Sequence, residues 1–269
     1  MALLAPFHLT AVNLAKASEN KMHDDAVARR FGFEGGLVPG VTVFGYMSHL
    51  AVTKWGRVFL ERGLIEARFL TPVYDGDSVV VTAEEAEDGI EIEVEARGTI
   101  CATGRAALPE APATVALADF PVTEPVPERR PVDGRSYVPG GWLGTASYTL
   151  TEAGLSNLLA GLSEKHPIYA AEKLAHPCYI LQLMNKILMD NAILGPWIHT
   201  SSTVRFIAPA AATDGLTACA TVTGNYERNG HRFVELDGLV LANSDTPVAH
   251  CQHAAIYQPR RSTRSRIRS

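Results

Sequence analysis

One pattern occurs twice in this chain and limits what it can fold into. Ala67-Arg-Phe-Leu-Thr-Pro72 aligns with Val204-Arg-Phe-Ile-Ala-Pro209, and the distance from Pro39 to Arg68 equals that from His176 to Arg205. A mostly apolar stretch precedes each Arg-Phe segment, and an Asp-Gly turn follows it (Asp75-Gly76, Asp214-Gly215). Long helix, strand, turn and strands therefore repeat, which is the signature of an internal duplication.

The first copy shows why each element forms. Gly32-Phe-Glu-Gly-Gly-Leu-Val-Pro-Gly40 is a glycine-rich turn that leads into Val41–Trp55. Phe44, Met47, Leu50, Ala51 and Trp55 recur at helical spacing, so one face of that helix is predicted to be buried and His49 lies off it, as a structural residue. The helix is expected to end between Gly56 and Gly63. Its first amides lack intrahelical partners and carry partial positive charge, and glycine there lets a ligand come close. Such a helix start can hold a carbonyl oxygen that is gaining negative charge. Ahead of it, Phe7–Leu14 alternates as an opening strand, and Asp24 or Asp25 caps a short helix through Phe31.

From Leu64 the period changes from 3.6 to 2. Ala67–Pro72 reads as a strand ending at a proline, Tyr74-Asp-Gly-Asp77 as a tight turn, and Val79–Thr82 as the start of another strand. Ile90-Glu-Ile-Glu-Val-Glu95 alternates cleanly, so Ile90, Ile92 and Val94 face a core and the three glutamates face water. Gly98–Leu108 completes an antiparallel meander. In the second copy the sequence predicts a strand over Gly141–Leu150, a helix over Thr151–Leu162 capped by Thr151, and a buried helix over His176–Met189. Strands near Thr200–Ile207, Leu216–Thr223, His231–Leu241 and Val248–Tyr257 follow. The class is α+β, with domains at 1–107 and 141–258. Between them, residues 108–140 form a proline-rich linker that can lie along a surface. Residues 259–269 form a basic tail, expected to be disordered.

Charge and cysteines exclude several functions. The net charge is −5, but the last ten residues hold five arginines and no acid, which leaves the rest near −10. An acidic body argues against nucleic-acid binding. The four cysteines are widely spaced with no C-x-x-C, so neither a zinc site nor a disulfide framework is indicated, and no metal is expected. No apolar run approaches the roughly 20 residues of a membrane span, and the start of the chain lacks a signal-peptide pattern, so a cytoplasmic protein with reduced thiols is expected. His250 and His253 fall on opposite faces of a strand, which separates them as ligands.

A long central helix wrapped by an antiparallel sheet, occurring twice, resembles the double hotdog fold. Within the first half, His23-Asp-Asp-Ala26, Gly32-Phe33, Val38-Pro-Gly40 and Ala67-Arg-Phe-Leu-Thr-Pro-Val-Tyr-Asp-Gly-Asp77 resemble the MaoC-like (R)-specific enoyl-CoA hydratases and dehydratases. The match covers about Leu14–Val80. That family shows Asp-x-Asn-Pro-x-His ahead of the helix. Here Asn20 and His23 match, while Ser18 stands at the aspartate position and Lys21 at the proline position. Val38-Pro39-Gly40 replaces the usual Val-His-Gly.

The resemblance implies water addition to, or removal from, an enoyl or 3-hydroxyacyl thioester, without a cofactor. His23 would transfer a proton, Asn20, Ser18 and Glu19 would accompany it, and Val38, Pro39, Gly40 and Val41 would hold the thioester. Ser18 cannot act as a base but can orient a water or His23. Glu19 and Asp24 are the nearest carboxylates that could replace the aspartate, and Asn20 equally suits a turn before a helix. His176-Pro177 takes the place of Pro39-Gly40 in the second copy, where proline is a normal helix start. The expected partner is an acyl-CoA or acyl-carrier-protein thioester, and a homodimer is compatible with the fold. Two alternatives stay open: a hotdog thioesterase, which needs a carboxylate or ordered water at the carbonyl, and a non-catalytic acyl-binding protein.

Overall fold

The computed structural model describes residues 3–111 and 113–260. In chain order the first half contains β1 (Phe7–Thr10), α1 (Asp25–Arg30), α2 (Gly40–Trp55), α3 (Arg57–Arg62), β2 (Leu64–Phe69), β3 (Ser78–Ala86), β4 (Gly89–Ala96) and β5 (Thr99–Ala107). The second contains β6 (Trp142–Gly144), α4 (Glu152–Gly161), α5 (Pro167–Glu172), α6 (Pro177–Asn191), β7 (Ile198–Phe206), β8 (Leu216–Arg228), β9 (His231–Ala242) and β10 (Thr246–Gln258). All ten strands join one sheet in the order β1-β3-β4-β5-β2-β7-β10-β9-β8-β6.

The duplication becomes geometry at the centre of that sheet. β2 and β7 run antiparallel, with Leu64 opposite Arg205 and Arg68 opposite Ser201. The two copies of the Arg-Phe strand thus meet about a local twofold, each arginine at the opposite end of the seam. Pairing the equivalent strands satisfies the ladder edges that each half would otherwise expose.

α2 and α6 lie against one another on the inner face of the sheet. At Gly45 a Cβ would stand 2.9 Å from Leu162 and 3.1 Å from Cys178, so glycine lets the helices approach closely. This contact changes the expected burial of α2. Instead of one buried face, every residue from Val41 to Ser48 is buried, because the sheet covers one side and α6 the other. Gly56, with φ 61°, ends the helix and turns the chain into α3. The alternation of β4 is as expected: Ile90, Ile92 and Val94 are buried, and the glutamates between them are exposed.

Other elements shift from their expected bounds. β1 stops at Thr10, and the first Arg-Phe strand starts at Leu64, where it pairs with both β5 and β7. The expected strand over Gly141–Leu150 shortens to Trp142–Gly144, and beyond it only an isolated bridge from Tyr148 to Leu216 resumes the pairing with β8. Thr151 caps α4 by accepting from the Gly154 amide. Residues 113–140 run along the second half and are anchored at several points, two of them in its core. Phe120 packs on Cys219, Leu239 and Leu241, and the fully buried Tyr137 donates to the Leu188 carbonyl at 3.0 Å. Of the basic tail, residues 261–269 lie outside the described residues. Among the described residues, no helix is long and apolar enough to cross a membrane, and no group of three or more His, Cys, Asp or Glu side chains could hold a metal.

Candidate functional site

A cavity of about 280 Å3 opens between the start of α2, the segment after β2 and residues 197–200 of the second half. The turn that carries Asn20 and His23 forms its floor. Asn20 caps a single 3-10 turn (Lys21–His23) by accepting from the Met22 amide at 3.1 Å. The same buried side chain reaches across to the second half: it accepts from the Trp197 amide at 3.1 Å and donates to the Trp197 carbonyl at 3.0 Å. A side chain amide pairing with a backbone amide in this way fixes the two walls relative to each other.

The tautomer of His23 follows from its partners. Nδ1 lies 2.7 Å from the Leu37 carbonyl, which can only accept, so Nδ1 carries the hydrogen. Nε2 is then a bare acceptor and takes the Asn20 amide hydrogen at 3.2 Å. Burial lowers the pKa of His23, partly countered by the Leu37 carbonyl, so the ring is neutral near pH 7. Leu37 is itself held in a bridge to Tyr74, and the Val38 amide donates to the Val73 carbonyl. These bonds deliver Val38, Pro39 and Gly40 to the cavity wall. Pro39 provides no side-chain cap for α2, leaving the start of the helix open to a ligand. A Cβ on Gly40 would stand 2.7 Å from His199 Nδ1, so a larger residue would not fit there.

The eight expected site residues therefore divide. Asn20, His23, Val38, Pro39 and Gly40 line one cavity. Val41 is buried in the helix, and Ser18 turns its hydroxyl to the Asn20 carbonyl at 3.3 Å. Glu19 is exposed and pairs with Arg129 at 2.9 Å. Asp24 caps α1 through the Val27 amide. Among the described residues, no carboxylate lines the cavity.

The second half also lines the cavity, and among its lining residues are Asn185 on α6, Trp197 just before β7 and His199 on β7. No local signal marks them, since they serve a cavity that the first half opens. His199 is buried, and its ring lies 4.3 Å from that of His253. Between them sits the Ser202 hydroxyl, 2.8 Å from His199 Nε2 and 3.0 Å from His253 Nδ1. His250 instead contacts Asp237 at 2.8 Å.

The equivalent helix start in the second half is closed. His176 caps α6 through Nδ1, is 0% exposed, and packs on Tyr169 at 4.6 Å. Its Nε2 lies 3.5 Å from the Glu164 carboxylate, which accepts from His49 at 2.9 Å and from the His166 amide. Burial alone would raise the Glu164 carboxyl, but His176, His49 and the His166 amide together hold it below the usual carboxylate range. One helix start is open and the other is plugged.

Known structures share this architecture. A protein of Chloroflexus aurantiacus assigned as a MaoC domain dehydratase superposes with a TM-score of 0.65, 13% identity, and coverage of 95% of this chain and 94% of that one. A conserved hypothetical protein of Mycobacterium tuberculosis with a double hotdog fold gives 0.62, 17%, 94% and 95%. The fold is the double hotdog. A third double-length neighbour, a Lactobacillus plantarum protein assigned as an oleoyl thioesterase, gives 0.52, 8%, 96% and 98%. No protein-family model and no curated protein matches the chain. The double hotdog places α2 and α6 as its two central helices, with the cavity at the start of the first.

Proposed function

We propose that this double hotdog protein is a hydratase or dehydratase for an acyl thioester. The observation that carries the proposal is the meeting of two groups in one cavity: the bare Nε2 side of His23 and the uncapped start of α2 at Gly40. The thioester carbonyl would rest at the helix start, whose amide polarises it. His23 would take a proton from water through Nε2 as the water oxygen bonds to the β-carbon. The electrons of the double bond move to the carbonyl oxygen, giving an enolate held by the helix. That enolate collapses as the α-carbon takes a proton back from His23, so one water is added and the histidine ends neutral. Asn20 must release Nε2 for this, while its three bonds to Met22 and Trp197 keep it in place. Dehydration is the same path reversed.

A thioesterase is the weaker reading, because neither Glu19 nor Asp24 lies at the cavity and, among the described residues, no other carboxylate lines it. The test is purified protein with trans-2-enoyl-CoA substrates of short, medium and long chain, following loss of the conjugated double bond beside His23→Ala. The variant is expected to lose about 10²- to 10⁴-fold in rate. If the unmodified protein acts on no chain length, hydration of simple enoyl-CoA is excluded. Release of free thiol then separates a thioesterase from a binding protein.

A further inference from the structure

Among the described residues, three buried polar atoms on the cavity's second-half wall have no partner: Asn185 Oδ1, Trp197 Nε1 and His199 Nδ1. Buried polar groups are nearly always bonded, so three around one cavity point to bonds that a ligand completes. Their chemistry differs. Trp197 Nε1–H only donates and Asn185 Oδ1 only accepts. His199 Nε2 lies 3.2 Å from the Ser201 carbonyl, so Nε2 carries the hydrogen and Nδ1 is also an acceptor. Burial, with His253 alongside, keeps this ring uncharged, which suits recognition better than proton transfer.

We propose that the site takes an acyl group bearing a hydroxyl substituent on its chain, read by Asn185, Trp197 and His199 of the second half. This rests on the thioester reading above and goes beyond it. The thioester carbonyl and the oxygen added at the β-carbon are served by the helix start and by His23, which leaves this trio for a further group. A hydroxyl both donates and accepts, so it can bond Trp197 Nε1–H and one of the two acceptors together. A plain alkyl chain would leave all three atoms bare. Sites built to bond a hydroxyl discriminate strongly against the analogue that lacks it.

The test is calorimetric binding of S-(2-oxoalkyl) coenzyme A thioethers, which keep a carbonyl but can be neither hydrated nor hydrolysed. One carries a short alkyl chain, and the others carry the same chain with a hydroxyl at successive carbons. The best hydroxylated analogue is expected to bind about tenfold tighter or more than the plain one. That ratio should fall towards one in Asn185→Leu or Trp197→Phe, two separate variants in case one folds poorly. Equal affinities in the unmodified protein, or a ratio that survives in both variants, overturns this proposal and leaves the thioester reading standing. If no analogue binds, the thioester reading falls and this one falls with it.

Discussion

Lowering the pH from 7.5 to 5 should destabilise this protein by about 2 kcal/mol or more, through histidines that folding keeps uncharged. His253 is fully buried and its pKa is lowered to about 3 by burial, and that of His199 is held well below the ordinary range for the same reason with His253 beside it. In the unfolded chain both titrate near 6.5. Below that value the unfolded state binds more protons than the native one, so stability is lost as the pH falls. At pH 5 an unfolded histidine is stabilised by about 2 kcal/mol relative to its neutral form, and the native His253 ring gains almost nothing. His253 alone therefore removes about 2 kcal/mol, a sizeable share of a typical stability of 5–15 kcal/mol, and His199 adds to the loss in the same direction. His23 and His176, also lowered by burial, act in the same direction. Glu164 adds to the loss only at lower pH, because its depressed carboxyl protonates in the unfolded chain first, below about 4.5. Urea unfolding at a series of pH values, followed by tryptophan fluorescence, measures this directly. A free energy of unfolding that is flat from pH 7.5 to 5 would refute the reasoning, since it would mean these rings take up protons equally in both states.

Three other outcomes follow from particular contacts. Gly40→Ala places a Cβ 2.7 Å from His199 Nδ1, and overpacking of this kind costs about 1–3 kcal/mol; thermal denaturation should show that loss, and thioester binding should weaken with it. Tyr137→Ala removes a fully buried ring from the core and should cost about 3–5 kcal/mol in urea unfolding, as for other large aromatic truncations, whereas a freely solvated linker would show no change. Arg129→Ala breaks an exposed pair with Glu19, which should change stability by under about 1 kcal/mol and leave turnover untouched if Glu19 has no part in the chemistry.

Much of the fold is legible in the sequence because its signals are local. Period 3.6 in Val41–Trp55, period 2 in Ile90–Glu95 and the cap at Thr151 each reflect free energies set within a few residues. The repeated Arg-Phe strand also foretells two equivalent units, and its pairing forms the β2–β7 seam. The candidate site was legible to the same extent. Asn20, His23 and Gly40 are close in sequence, carry the motif, and line one cavity.

What tertiary structure alone decided depends on contacts between distant segments. Ser18 and Glu19 sit beside Asn20 in sequence, but the Asn20–Trp197 bonds turn that stretch so that Glu19 points to Arg129 on the surface. Only α6 packing over α2 buries Val41–Ser48 on all sides. Two similar helix starts, moreover, end as one open cavity and one plug of His176, Glu164 and Tyr169. Hydrophobic period and turn chemistry fix which residues face inward along an element. Which inward-facing polar atoms find partners is settled only when the two halves close on each other, and there Asn185, Trp197 and His199 are left facing the first half's cavity with one bond each unmade.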